Sequence, residues 1–498
     1  MRKQLGIAIF ALAFAFASSA AASVTTYHNS NRRHGLYVVP GLTLAAASTM
    51  HRDTAFAPVL DGHIYAQPLY WRPPGARRGQ IIVATENNKV YALDELTGAI
   101  VWQTPQLAPP VPLANMPCGN IDPMGITGTP VIDPATGTLF FNAQTLTANG
   151  PRHMVYALSL SNNGAVVSGW PLDVQAELAA KSVAFESKFH GERSALLFHN
   201  GHVYVNYAGN SGDCGTYHGT VLEFQPSPPA LLAAWQTRAT RGGIWAQGGI
   251  AGDGQGLFVT TGNTTRGTSD WSDGEAIIRL REGLAHSDRR ADYFVPSNWE
   301  ALDDADKDLG GTEALPVNVL LSGGGVARRV IAFGKDGNAY LVDRGNMGGI
   351  GGQIATLQVS DKGIRTAPAV YQTTDVTLVA FASQTSVDPA CHNQKNLSMI
   401  SIAGSGSNPI SFSWCQVLDG AGAPIITTTD RIADPIAWMV GAEGDNMLHG
   451  YNALTGAPVS NGSGFVMSGL HHFVTILATH RRLYVAADNT VYAFAFTP

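Results

Sequence analysis

The sequence predicts an all-β fold: an eight-bladed β-propeller of four-stranded antiparallel blades, its ring closed by an N-terminal strand. Three observations predict it. Pairs of short strands, each apolar on alternate positions, occur eight times at intervals of about 45–65 residues. Many pairs are preceded by a segment starting on small residues and proline and followed by one carrying tryptophan, which makes four strands per unit. Finally, 55 glycines and 27 prolines are spread along the chain, as many tight turns between short strands require.

The first clear unit is IIVATENNKVYALDELTGAIVWQT, Ile81 to Thr104: two alternating strands about a polar turn, a Thr-Gly turn, and a strand ending on Trp102. The pair returns as TLFFNAQ…HMVYALSL, HVYVNYA…GTVLEFQ, GLFVTTG…EAIIRLR, RVIAFGKDGNAYLVDR, VTLVAFAS…LSMISIA, IAWMVGAEGDNMLHGYNA and RLYVAADNTVYAFAF. First strands are marked by AQPLYW, GTPVID and TAPAVY, and outer strands by Trp102, Trp170, Trp235 and Trp414. An open sheet of about thirty strands would curl or split, whereas a closed ring leaves only short edges. The last unit ends after its third strand. DTAFAPVL, Asp53 to Leu60, is expected to supply the fourth, with Phe56 in the tryptophan's place. The alternative is a seven-bladed ring with that segment as a loose arm.

At the N-terminus, Arg2 and Lys3 precede an apolar run from about Leu5 to Ala17 and then small residues to Ala22. Residues 1–22 are therefore expected to be a signal peptide, and 23–498 a single propeller domain, periplasmic or extracellular. No later segment is apolar and long enough to span a bilayer. With 14% charged residues and a formal net charge of -6, the chain is not built to attract a polyanion, so nucleic acid is not expected as a partner. A monomer is expected, with a small polar ligand or another envelope protein as partner.

VYALDELTGAIVW and the weaker HGYNALTGAPV resemble the repeat of quinoprotein alcohol dehydrogenase-like propellers, whose Ala-x-Asp-x-x-Thr-Gly-x-x-x-Trp signature docks a tryptophan between blades. DGHIYAQPLYW, GITGTPVID, FHGERSALL, GGIWAQGG and FGKDGNAYLVDRGNMGG also look like stretches of bacterial secreted PQQ-repeat propellers, from about Tyr27 to the C-terminus. The resemblance implies either a pyrroloquinoline quinone (PQQ) and calcium site in the funnel, as in the dehydrogenases, or a BamB-like scaffold that binds neither. The adjacent cysteine pair and the haem motif of such enzymes are both missing here.

In a propeller, first strands begin and second strands end on one face, so residues there converge on the axis. This selects Glu86, Asn87, His190, Glu192, Arg193, Trp245, Gln247, Asn263, Lys335, Asp336, Arg365, Asp445, Asn446, His471 and His472. Asn87, Asp336, Asp445 and Asn446 also suit the turns they occupy. The cations and carboxylates could equally satisfy one another around a wet channel. Were the protein a dehydrogenase, Glu86 or Glu192 would be the base or a calcium ligand, Asn263 a neutral oxygen ligand, and Lys335 or Arg365 the group holding the quinone. Trp245 would be a stacking platform or an inter-blade packing residue. A glycan hydrolase would need an isolated carboxylate pair across the channel.

LDDADKDLGGTE places Asp304, Asp306 and Asp308 at alternate positions, as calcium loops do. Leu309 and Leu315 stand where an EF-hand needs Gly and Glu, so a solvated acidic loop is the competing expectation. RGNMGGIGG lacks a following helix and is read as a blade turn. Four cysteines allow three pairings. The propeller places Cys391 and Cys415 on one face of one blade, so these are expected to pair, leaving Cys118 with Cys214.

Overall fold

Eight separate antiparallel sheets follow one another along the chain, and each is one blade. The computed structural model describes residues 23–265, 270–321, 323–374, 376–406 and 408–498. The expected signal peptide, residues 1–22, lies outside the described residues. No helix among the described residues is long and apolar enough to cross a membrane.

Blade one shows how the repeat is made. Its strands are Leu69–Trp71, Gln80–Thr85, Lys89–Asp94 and Ile100–Gln103. The second and third pair in register from Gln80↔Asp94 to Thr85↔Lys89, and Asn88 takes the left-handed conformation (φ 53°) that closes the hairpin. At the next turn the Asp94 carboxylate accepts from the backbone N–H groups of Leu96 and Thr97 and from the Thr97 hydroxyl, with Gly98 at φ 70°. That is why the motif reads Asp-x-x-Thr-Gly: a carboxylate that closes the loop, then a residue without Cβ.

Trp102 leaves this blade to lie against blade two, so close that a Cβ on Gly164 would stand 2.6 Å from its ring. Trp414 does the same to Gly456 of the next blade and donates its indole N–H to the Ala453 carbonyl. Blades two to seven begin with His190–Gly191 and Leu197–His199 in blade three, and with Val131–Asp133, Ala251–Gly252, Leu315–Leu320, Ala369–Gln372 and Ile425–Thr428 in the others. RGNMGGIGG is the turn region after the third strand of blade five. Its Gly349–Ile350 pairs parallel with Phe294–Val295 of blade four.

Blade eight (Ile476–Ala478, Arg482–Ala487, Thr490–Ala495) receives its fourth strand from the N-terminus, so the ring is closed by pairing the two ends of the chain. The paired residues are His51 with Ala495 and Arg52 with Phe494, two positions ahead of the stretch expected from sequence; Asp53 continues with its N–H on Ala493. Phe56 is fully buried, edge-on to Tyr484 (5.4 Å), and a Cβ on Gly98 of blade one would lie 3.3 Å from its ring. It therefore fills the place that tryptophan fills elsewhere. One apolar cluster runs through Trp438 and Val440 of blade seven, Val485 and Phe494 of blade eight, and Val83 and Tyr91 of blade one.

Residues 24–39 do something the sequence did not announce: they touch the innermost strand of every blade or the residue just before it. Val24 exchanges backbone hydrogen bonds with Tyr70 of blade one, and Thr25 accepts from Ile132 of blade two. Asn31 donates to Phe198 O of blade three (2.9 Å) and accepts from Gly252 of blade four. His34 bonds Pro316 O of blade five (2.8 Å) and accepts from Val370 of blade six. Leu36–Val38 runs parallel to Ile426–Thr428 of blade seven, and His28 bonds the Thr475 hydroxyl (3.0 Å) at the start of blade eight. Only a segment lying on the axis can reach all eight, so it plugs the channel.

At the centre of this plug Arg33 is fully buried. Its guanidinium donates to Ile250 O (3.0 Å), Leu196 O (3.0 Å) and the Thr26 hydroxyl (2.6 Å). Burial pulls its pKa down to about 10, with Glu313 opposing. Both disulfides join the expected partners, Cys118–Cys214 and Cys391–Cys415, with Cα atoms 6.0 and 6.1 Å apart.

Replacing Arg33 with Met strands the buried Ile250 and Leu196 carbonyls and removes the side-chain bonds that hold the plug to the entries of blades three and four. The expected loss of stability is about 3 kcal/mol or more, measured by chemical denaturation. A change under about 0.5 kcal/mol would mean the plug is not tied to the ring as described.

Candidate functional site

The plug closes the axis, and its Tyr27 forms part of the floor of a small cavity of about 50 Å³ with Tyr65, Gln67, Gln247 and Thr475. Arg193 and His472 line both this cavity and a larger one of about 340 Å³ above it. Around the larger cavity stand Arg193, Trp245, Asn263, Asp306, Asp308, Lys335, Arg365 and His472. Six were selected from the sequence as funnel-facing and two, Asp306 and Asp308, as members of a possible calcium loop; they come from blades three, four, five, six and eight or the segments leading into them. The rule that brings them together is geometric: each sits before a first strand, or between a second and a third.

The hub of the arrangement is Asp308. One carboxylate oxygen accepts from the Asn263 N–H (2.9 Å). The other accepts from the Trp245 indole N–H (3.2 Å) and pairs with Lys335 Nζ (2.5 Å). Lys335 also bonds Asp306 (3.1 Å) and lies 5.1 Å from the centre of the Trp245 ring. Burial alone would pull the Lys335 pKa down, but Asp308 and Asp306 hold it above its ordinary value. Asp308 is only 3% exposed, so LDDADKDLGG is not simply a solvated acidic loop. Nor does it gather Asp304, Asp306 and Asp308 around one point: Asp304 ends the helix Trp299–Asp304, while the other two share Lys335. Among the described residues the only group of three acidic, cysteine or histidine side chains with mutually close ligand atoms is His63, His471 and Asp488.

Arg193 and Arg365 differ from Lys335. Neither guanidinium donates a hydrogen bond to, or forms an ion pair with, any described residue, yet both line the cavity. Burial lowers the Arg193 pKa, with Asp213 opposing. Asp213 is among the site residues that were not selected from the sequence, along with Asn120, Tyr217 and Phe473. Asp213 accepts from the Tyr217 hydroxyl (2.7 Å) and precedes Cys214, whose bridge to Cys118 clamps the Asn120 loop onto the Asp213 loop. NSGDCG follows a second strand, so the same geometric rule would have found Asp213.

Other selected residues lie elsewhere. Glu86 is fully buried between blades one and two, where its carboxylate accepts from the Gly125 N–H and the Thr127 hydroxyl (3.1 Å). Burial pushes it up to about 7. Glu192 is 4% exposed, packed where a Cβ on Gly128 would stand 2.3 Å from its carboxylate, and burial raises it well above the carboxylate range. Neither lines the larger cavity, because each points into an inter-blade seam rather than at the axis. His190 stacks on Phe185 (3.8 Å) and donates from Nδ1 to Glu186 O of its own loop (2.9 Å), with burial lowering it to about 3. Asn87 closes onto Asp61 (2.7 Å) at the rim. Asp336 accepts from the Tyr340 hydroxyl and Asn338, Asp445 bonds His449 (2.8 Å), and Asn446 holds its own turn at Glu443. Gln247 lines the small cavity, where its buried amide makes no side-chain hydrogen bond among the described residues.

No protein-family model matches the sequence. No curated protein matches it either. Solved structures do match in shape. The quinohemoprotein alcohol dehydrogenase ADHIIG of Pseudomonas putida HK5 superposes with a TM-score of 0.66 at 11% identity, over 95% of this chain and 80% of that one. A europium-containing methanol dehydrogenase gives 0.65 at 14%, over 95% and 98%. The quinohemoprotein alcohol dehydrogenase of Comamonas testosteroni gives 0.61 at 13%, over 95% and 80%.

Glu86 supplies a test of how these buried carboxyls act. Its folded pKa is raised, so its neutral form contributes fully below about pH 4.5, and that contribution is lost as pH rises towards about 7. Glu86→Gln, which keeps the oxygen acceptor, should flatten the fall in stability between those pH values by a few kcal/mol, read from denaturation at pH 5 and pH 8. An unchanged slope would contradict the assignment. In shape, the chain is an eight-bladed propeller similar to the solved quinohemoprotein alcohol dehydrogenases, a likeness of fold.

Proposed function

We propose that the protein binds a small, carboxylate-bearing ligand on the funnel face of the propeller, in the periplasm or outside the cell. The observation that carries this is the pair of guanidiniums, Arg193 and Arg365, facing one cavity with no protein anion bonded to either among the described residues. A forked donor of this kind suits a planar carboxylate. Trp245 adds a ring at the wall, and the Gln247 amide and Tyr27 hydroxyl add unused hydrogen-bonding capacity below. The two disulfides suit an oxidising compartment. Docking of another envelope protein on the same face would use the same exposed arginine.

A second reading is a PQQ- and calcium-dependent dehydrogenase acting on an alcohol or sugar. It is favoured by Trp245, Asn263 and Asp308 meeting at one cavity in this fold. The cations fit the quinone: Arg193, Lys335 and Arg365 would hold its carboxylates, and the bound quinone would supply a two-electron acceptor. The arrangement does not fit calcium. Both Asp308 oxygens already accept from three donors, one of them an ammonium that a dication would have to displace. With Glu86 and Glu192 outside the cavity, Asp213, Asp306 and Asp308 are the carboxylates it offers.

The test is to titrate the purified protein with PQQ and with a panel of di- and tricarboxylates, with and without Ca²⁺, following quinone absorbance and dye reduction over alcohols and sugars. Saturable binding that weakens at least tenfold in Arg193→Ala and Arg365→Ala supports the ligand-binding reading, tenfold being about 1.4 kcal/mol. Turnover with PQQ selects the dehydrogenase. No binding of any of these anions overturns both.

A further inference from the structure

Where blade eight meets blade one, two histidines converge on one carboxylate outside the funnel site. His63 Nδ1 lies 2.8 Å from Asp488 Oδ1, and His471 Nε2 lies 2.6 Å from the same oxygen. We propose that His63, His471 and Asp488 form a binding site for a divalent transition-metal ion of the zinc type, joining the first and last blades of the ring.

The donor chemistry selects the ion. Two imidazole nitrogens and one carboxylate oxygen suit zinc and its neighbours and are a poor set for calcium or magnesium, which want oxygen alone. All three ligand atoms lie within 4.8 Å of one another. A tetrahedral ion bonded at about 2.0–2.1 Å to each would need either nitrogen to move back from Asp488 Oδ1 by only about half an ångström or slightly more. Each neutral ring would present its lone pair at the nitrogen now facing Asp488 and carry its proton on the other nitrogen. Three protein ligands leave a position for water. The side chains of His63, Asp488 and His471 are 41%, 25% and 21% exposed, so solvent can reach it.

The ligands are also held in place before any ion binds. Asp488 sits in the hairpin turn between the last two strands. The adjacent Asn489 bonds the blade-one loop three times: its N–H to Gly62 O, its carbonyl from Leu60 N–H, and its side-chain oxygen from Gly62 N–H (3.0 Å). These bonds fix His63, next along that loop, beside Asp488. On the other side Tyr65 stacks on the His471 ring at 4.2 Å and 22°, fixing its plane. A Cβ on Gly469 would stand 2.9 Å from the Asp488 Cβ, so the approach of the His471 segment depends on a glycine there.

Because His63 and Asp488 belong to opposite ends of the chain, a bound ion would cross-link the seam. The experiment loads the purified protein with Zn²⁺, removes excess by desalting, and measures retained metal and melting temperature; Co²⁺ in place of Zn²⁺ gives a visible spectrum that reports nitrogen and oxygen ligation. About one retained ion per chain is expected, with a rise in melting temperature of several degrees. His63→Asn and His471→Asn should each weaken retention at least tenfold and abolish the rise, with little change in melting temperature when metal is withheld. Asp488→Asn, nearly isosteric, gives the same comparison if a histidine variant fails to fold. Retention equal to wild type in these variants, or no retention by the wild type, overturns the site.

Discussion

A β-sheet ends in unpaired backbone groups, and eight sheets arranged in a ring avoid a raw boundary only if the first and last are joined. Here the join is made by residues far apart in the chain. His51 and Arg52 complete the last sheet, and Phe56 takes the wedge position between blades eight and one. The continuous apolar cluster across blades seven, eight and one shows how much buried surface depends on that contact. Were the N-terminal strand to leave, blade eight would lose its edge and blade one its packing partner, so closure is the constraint on which every inter-blade seam relies.

The same N-terminal segment decides what the funnel is. Eight first strands around an axis would leave an open channel, but residues 24–39 bond to all of them or to the residues just before them. With Arg33 sealed at the centre, the axis becomes core. Polar side chains near the first-strand starts then meet over a closed floor instead of lining a pore. This explains why Arg193, Trp245, Asn263, Lys335 and Arg365 share a wall while belonging to four blades, and why one disulfide, Cys118–Cys214, shapes that wall as well as tying loops together.

Ionisable groups in this fold fall into two populations that the sequence writes alike. Glu86, Glu192 and Glu313 sit at the same kind of strand end as the cavity residues, yet all three are at most 4% exposed. Burial holds Glu86 and Glu313 up to about 7, so each acts as a neutral hydrogen-bonding group in acid and becomes a cost as pH rises. Asp308, equally buried, differs because Lys335, Trp245 and Asn263 reach it. Whether a carboxyl stays alone or gains a cation depends on side chains from neighbouring blades.

The fold was legible because propeller strands are local. Alternation, the Asp-x-x-Thr-Gly turn, the closing tryptophans and even Phe56 as a substitute are properties of short stretches, each repeated often enough to stand out. The funnel-facing set was legible in part for the same reason: strand polarity assigns Lys335 or Arg365 to one face without coordinates. What lay beyond the sequence, apart from the ring closure and the disulfide pairing, was most of what distance between separate segments sets. The plug has no pattern of its own, since its bonds are to eight different blades. Glu86 turns into a seam and Arg193 into the cavity by a difference in direction that strand position does not encode, and His63 meets Asp488 only because the ring brings residue 63 back to residue 488. Local backbone chemistry determined the blades; closure in three dimensions decided which charges are paired, which are buried and which are left facing a ligand.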